Sequence, residues 1–129
     1  MTSKLVLDNI AGRTTAGSIT IVGEGNSTTT NLQQGLCKAW VLATSHLGAI
    51  SDSLNISGST DNGTGDYTFS FTNNMGNANF SAQQSAAEDN VRTCVNKIRA
   101  VGSFRISFFD QNGNAQDAAT TAGVHGDLA

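Results

Sequence analysis

The stretch from Asp61 to Thr72 constrains the fold of this chain most. Tyr67, Phe69 and Phe71 alternate there with Thr68, Ser70 and Thr72, which is the period of two that marks a half-buried β-strand. The glycine-punctuated run Asp61-Asn62-Gly63-Thr64-Gly65-Asp66 leads directly into it, and Asn62-Gly63 is a dipeptide that supplies the positive backbone dihedrals of a tight hairpin turn. The chain holds one Tyr and six Phe, so three aromatics on one strand face mark a core. This stretch predicts a strand and carries no chemistry of its own.

Composition widens that reading to the whole chain. With 129 residues there is room for one domain, or a small domain with an extended arm. Charged residues make up 13%, about half of the roughly 25% usual in globular chains, and Ser, Thr, Asn and Gly fill the gap. A net charge of only −3 removes charge repulsion as a cause of disorder. Uncharged, turn-rich and β-branched is the composition of an all-β protein with many short strands. Hydrophobic content of 38% is low, and a small chain with so little apolar surface points to burial completed by partner chains.

Several partner classes fall away on the same grounds. The seven basic residues are scattered, so no basic face for nucleic acid is expected. No apolar run approaches the roughly 20 residues of a membrane span, and the aliphatic run Leu5-Val6-Leu7 is broken at Asp8, too soon for a signal peptide. Cys37 and Cys94 fit no metal spacing; two free thiols are favoured over a disulfide in a chain without a secretory signal.

Along the chain, Lys4 to Ile10 is short and aliphatic, and Ser18 to Val22 is a β-run with Ile19 and Ile21 on one face. Gly23 to Thr30 holds no apolar residue and reads as a linker. Residues 1–30 therefore predict an extended N-terminal strand arm, too small to fold alone. Residues 31–129 predict a small antiparallel β-sandwich. In Leu36 to Leu42 a strand period puts Cys37, Ala39 and Val41 on the core face and Trp40 across an edge or interface; a helical turn through Leu32-Gln33-Gln34 is weakened by Gly35. Ile50 to Ile56 predicts a strand with Leu54 and Ile56 inward, Asn73 to Asn77 a turn, and Ala78 to Ala82 a short strand around Phe80. Ser103 to Phe109 predicts a strand with Phe104, Ile106 and Phe108 on one face. Asp110 to Asn114 turns it, and Ala118 to Val124 can return as its partner. Ala86 to Ala100 stays open: Val91, Cys94, Val95 and Ile98 have helical spacing, while Val91, Thr93 and Val95 alternate as in a strand.

No motif carries catalysis. His46 and His125, the only histidines, have no ligand at metal spacing. A nucleophilic Cys–His arrangement lacks any local signature, and Cys37 lies in a strand, away from the helix start that stabilises a thiolate. Asp61 to Asp66 and Asp110 to Asn114 faintly resemble calcium loops, but the glycine spacing is wrong and no closing Glu follows. Hairpin turns account for both. Gly23-Glu24-Gly25 lacks the third glycine of a dinucleotide loop. Neither enzyme activity nor a cofactor is expected.

Four landmarks resemble a known family. Gly35-Leu36-Cys37-Lys38-Ala39-Trp40-Val41 is similar to the Gly-Leu-Ala-Lys-Ala-Trp-Val opening of small tail-fibre-type domains of bacteriophages, especially phages of marine bacteria and cyanobacteria. Leu54 to Phe69 resembles that family's segment containing Thr-Asp-Asn-Gly-Thr-Gly-Asp-Tyr-Thr. Met75 to Phe80 falls where the family has a Met-containing turn, and Val124 to Leu128 resembles its closing Val-x-Gly-Asp-Leu. Departures are Cys37 in place of Ala, Gly58-Ser59 in place of Ser-Ile, and no match over Ala86 to Ala100. The family leans all-β, which moves that segment towards strand. The resemblance implies a non-enzymatic virion protein made in the host bacterial cytoplasm, assembled as a homotrimer, mediating attachment to the host cell surface.

On that basis Leu5, Leu7, Ile10, Ile19 and Ile21 are expected to bury between chains. Loops rich in Asn, Ser and Thr suit hydrogen-bonded recognition of a host surface glycan, and suit solvent equally well. The second expectation is a capsid-decorating protein (knob, head fibre or cement) on the phage head. In either case the chain binds other virion proteins, of tail or capsid.

Overall fold

The computed structural model describes residues 4–13, 19–23, 28–44, 49–87 and 92–128. The chain divides into two compact units, Met1–Gly35 and Leu36–Ala129. In the first, β1 (Thr20–Val22) pairs antiparallel with β2 (Thr29–Asn31) as a small hairpin, followed by the single-turn helix α1 (Leu32–Gly35). Asn31 Oδ1 accepts the Gln34 N–H at 3.1 Å, an N-cap contact that lets the turn form. Lys4 to Ile10 forms no strand: described residues 4–13 are exposed and without regular structure. An isolated short strand has no ladder to satisfy its backbone. The expected linker is shorter than predicted, because Thr29 and Thr30 belong to β2; Ser18 and residues 24–27 lie outside the described residues.

The second unit is an all-β sandwich of two four-stranded antiparallel sheets. Its strands are β3 (Cys37–Ala43), β4 (Ile50–Leu54), β5 (Ile56–Gly63), β6 (Asp66–Phe71), β7 (Ser81–Ala86), β8 (Thr93–Ala100), β9 (Ser103–Phe109) and β10 (Thr120–His125). One sheet has the order β4-β3-β10-β7, the other β5-β6-β9-β8. The core matches large against small. β6 and β9 contribute Tyr67, Phe69, Phe71, Phe104, Ile106 and Phe108, while β3, β7 and β10 answer with Ala39, Val41, Ala43, Ala82, Ala122 and Val124, all buried. Facing sheets sit about 10 Å apart, a gap that rings on one side and methyl groups on the other can fill at native density. The rings also pack on each other, with centroids 5.4 Å apart for Phe69–Phe104 and 5.6 Å for the edge-on pair Phe71–Phe80.

Tertiary context corrects several expectations. Ile50 to Ile56 is two strands in different sheets, with Asn55 at the corner in a left-handed conformation (φ 57°). Its amide donates to the Lys38 and Asn73 carbonyls, both at 3.1 Å, and its Oδ1 accepts Asn73 N–H at 2.7 Å. Leu54 therefore ends 47% exposed, while Ile50 and Ile56 pack on the core. The β5–β6 hairpin turns at Thr64-Gly65, and the positive dihedrals fall on Gly63 and Gly65 instead of Asn62. Phe80 is buried just before β7, which starts at Ser81 rather than Ala78.

β10 does not return beside β9; it crosses to the other sheet and lies between β3 and β7. Thr93–Ala100 is a strand along β9, with Cys94 packed on the core. Asn96 Nδ2 donates to the Ala82 carbonyl at 2.7 Å. Residues 88–91, which carried part of the helical pattern, lie outside the described residues.

Candidate functional site

The strongest charge cluster starts at Asp66, the first residue of β6. Arg105 Nε donates to Asp66 Oδ1 at 2.7 Å, Arg105 Nη2 donates to Oδ2 at 2.9 Å, and the Lys97 ammonium also donates to Oδ2. The Arg105 hydrogen bonds, joined by Lys97 and opposed by partial burial, hold the Asp66 carboxyl at about 2. A carboxylate held this firmly by a two-point guanidinium contact is a poor proton acceptor. The cluster is a clamp between β6, β8 and β9.

A second network closes the hairpin. Asp117 Oδ1 accepts the Gly65 N–H at 2.7 Å and the Tyr67 hydroxyl at 2.8 Å. Burial first, and the Asp117 carboxylate second, push the Tyr67 phenol above its ordinary range. Gly65 has φ 63°, and an added Cβ would stand 2.3 Å from the Gln116 carbonyl oxygen, so only glycine fits.

The two loops with a faint calcium likeness use carboxylate oxygens on their own backbone. Asp61 Oδ1 accepts Gly63 N–H at 2.9 Å, and Asp110 Oδ1 accepts Asn112 N–H at 2.8 Å and Asn114 N–H at 2.9 Å. Those bonds, with the Asn114 N–H first, lower the Asp110 carboxyl below its ordinary value. Among the described residues no three His, Cys, Asp or Glu side chains gather to hold a metal ion.

Cys37 and Cys94 are separate free thiols, each half-buried. Burial raises the Cys94 thiol above its ordinary value. Strand register sets Cys37 opposite His125, but the Cys37 thiol donates to the Ala39 carbonyl at 3.1 Å, and His125 Nδ1 is buried without a partner. His46 lies outside the described residues.

Two surfaces remain. In the N-terminal unit none of the described residues is buried. Leu5 is 80% exposed, and Leu7, Ile10 and Ile21 are each more than half exposed, as are Val6 and Val22. Ile19 is half-buried, with its carbonyl accepting the Leu32 N–H at 2.9 Å. In the sandwich, the outer face of the β4-β3-β10-β7 sheet carries the cross-strand row Leu54, Trp40, Gly123, Gln83. The adjoining row is Asp52, Leu42, Thr121, Ser85.

A shallow cleft of about 400 Å3 lies over β7 and β10, lined by Gln83, Gln84, Ser85, Thr121, Ala122 and Gly123. The sequence placed Trp40 at an edge or interface but did not single out Gly123 or Gln83. The only local signal was an isolated glycine within a strand pattern. Compared with known proteins, this chain matches no family description, no curated protein and no solved structure.

Proposed function

We propose that this chain is a non-enzymatic structural protein of a phage virion, of the tail-fibre or spike type. In this reading it assembles as a homotrimer through its N-terminal unit and mediates attachment to the host cell surface. One observation carries it most: the described part of the N-terminal unit buries no side chain and exposes six large aliphatic residues. Leaving that much apolar surface in water is unfavourable at roughly 25 cal/mol per Å2, which favours covering it with a partner. Short strands whose described residues bury no side chain suit winding with copies of themselves. The landmark resemblance from Gly35 to Val41, from Leu54 to Phe69 and from Val124 to Leu128 supports the phage assignment.

Sedimentation of the intact chain at micromolar concentration tests the assembly. A trimer is expected, and a monomer refutes it. Gold labelling of intact particles tests the location. Label at the tail is expected, whereas label on the head replaces the fibre reading with capsid decoration.

A further inference from the structure

We infer that the outer face of the β4-β3-β10-β7 sheet is a binding site for a neutral glycan, with Trp40 as its stacking platform and Gly123 as the floor of the trough beside it. The inference rests on the attachment reading above and assigns that attachment a face and a ligand class.

It starts from an unfilled space. Trp40 and Gly123 are direct cross-strand partners, and Gln83 continues the row on the far side of Gly123. In β-sheets an aromatic opposite a glycine commonly folds over it to cover the exposed backbone. That has not happened here, because a Cβ built on Gly123 meets no atom within 4 Å. The chain's one tryptophan is thus half-buried on an outward face beside a strip of bare backbone.

The walls then select the ligand. Beside Gly123 stand the Gln83 amide and the Ser85 hydroxyl of β7 and the Thr121 hydroxyl of β10, the two hydroxyl oxygens 3.0 Å apart. An amide and hydroxyls both donate and accept, which matches the vicinal hydroxyl groups of a sugar. The indole offers a rigid apolar surface with little side-chain entropy to lose, which matches the C–H face of a pyranose ring. The one charged residue of the two rows is Asp52, at the β4 end beyond Leu42; Trp40, Leu42, Gly123, Thr121, Gln83 and Ser85 carry no charge, and neither does the lining of the cleft over β7 and β10. Charge complementarity therefore favours a neutral ligand over a phosphate, an acidic glycan or a charged peptide, whose desolvated charge would go unpaired. The cleft over β7 and β10, of about 400 Å3, falls within the roughly 300–1,000 Å3 of small-ligand sites; Trp40 is outside its lining and adjoins it as the cross-strand partner of Gly123.

Gly123 also makes the test clean. The open space means that Gly123→Thr fits the native backbone and supplies a better strand former, while its side chain fills the trough. The experiment prints the intact chain and G123T on an array of neutral and acidic glycans, and follows neutral hits by the emission of Trp40. Binding of at least one neutral glycan by the native chain is expected. In G123T it falls by about tenfold or more with the thermal midpoint kept or raised; Gln83→Ala weakens it as well.

No neutral glycan bound, or binding unchanged in G123T, overturns the inference. So does a change of oligomeric state in G123T, which would mean that a second copy of the chain covers this face. Particle labelling and sedimentation are independent of the array. A tail-located trimer that binds no neutral glycan sinks this site alone, and a head-located protein sinks the attachment reading.

Discussion

Replacing Asp66 with Asn removes one negative charge and leaves almost everything else in place. Asn is close to an isostere of the protonated acid, so its cost at neutral pH equals, to first order, the free energy of ionising Asp66 in the folded rather than the unfolded chain. The folded carboxyl is held at about 2 against a reference of 3.8. The difference multiplied by roughly 1.36 kcal/mol per pK unit gives about 2 kcal/mol. A fully buried ion pair broken on one side costs about 3–5 kcal/mol; the smaller figure applies here because Arg105 and Lys97 keep 31% and 43% of their side-chain surface in water and rehydrate when released.

The folded pKa is depressed, so the stabilisation is present above the unfolded value and is lost as pH falls through the window from about 4 to about 2. Urea unfolding of wild type and D66N, followed by Trp40 emission, is expected to differ by about 2 kcal/mol at pH 7 and by about 0.5 kcal/mol at pH 2. A gap at pH 7 below about 0.5 kcal/mol, or one that persists undiminished at pH 2, rules out a stabilising Asp66 clamp.

Three further outcomes follow from the same geometry. Gly65→Ala is expected to destabilise the sandwich by more than about 2 kcal/mol in urea unfolding, since its Cβ would meet the Gln116 and Phe108 carbonyl oxygens at 2.3 and 2.7 Å; a neutral result would mean that the hairpin packs differently. Tyr67→Phe removes one hydrogen bond to Asp117 and should cost about 1 kcal/mol. In the native chain the phenol, raised above its ordinary pKa, should show no phenolate absorbance while the protein stays folded, and stability should fall as pH rises past the unfolded value of about 10. Asn55→Ala loses three hydrogen bonds at the corner and leaves a left-handed backbone without the side chain that holds it. A loss of about 2–4 kcal/mol in thermal or urea unfolding is expected, with Asn55→Gly recovering only the backbone part.

Local pattern was enough where a strand has one wet and one dry face. Tyr67, Phe69 and Phe71, then Phe104, Ile106 and Phe108, then Ala39 and Val41 each show their buried face through a period of two, because alternation follows from the strand itself and survives whatever it packs against. The all-β class and the antiparallel sandwich were legible for the same reason. Non-local matters were decided by tertiary structure. Leu54 and Ile56 stand two apart, as neighbours on one face of a strand would, yet Asn55 turns the chain between them and sends them to different sheets.

β10 pairs with strands far back in the chain instead of with β9, since what it buries is Ala122 and Val124 under the aromatic layer, and nothing in the intervening turn encodes that destination. Ala86 to Ala100 carried both a helical spacing and an alternation; within it Thr93–Ala100 is a strand because β9 supplies a ladder to pair with. The candidate binding face was equally hidden. Trp40, Gly123 and Gln83 come from three strands, and only cross-strand register sets an empty glycine between an indole and an amide.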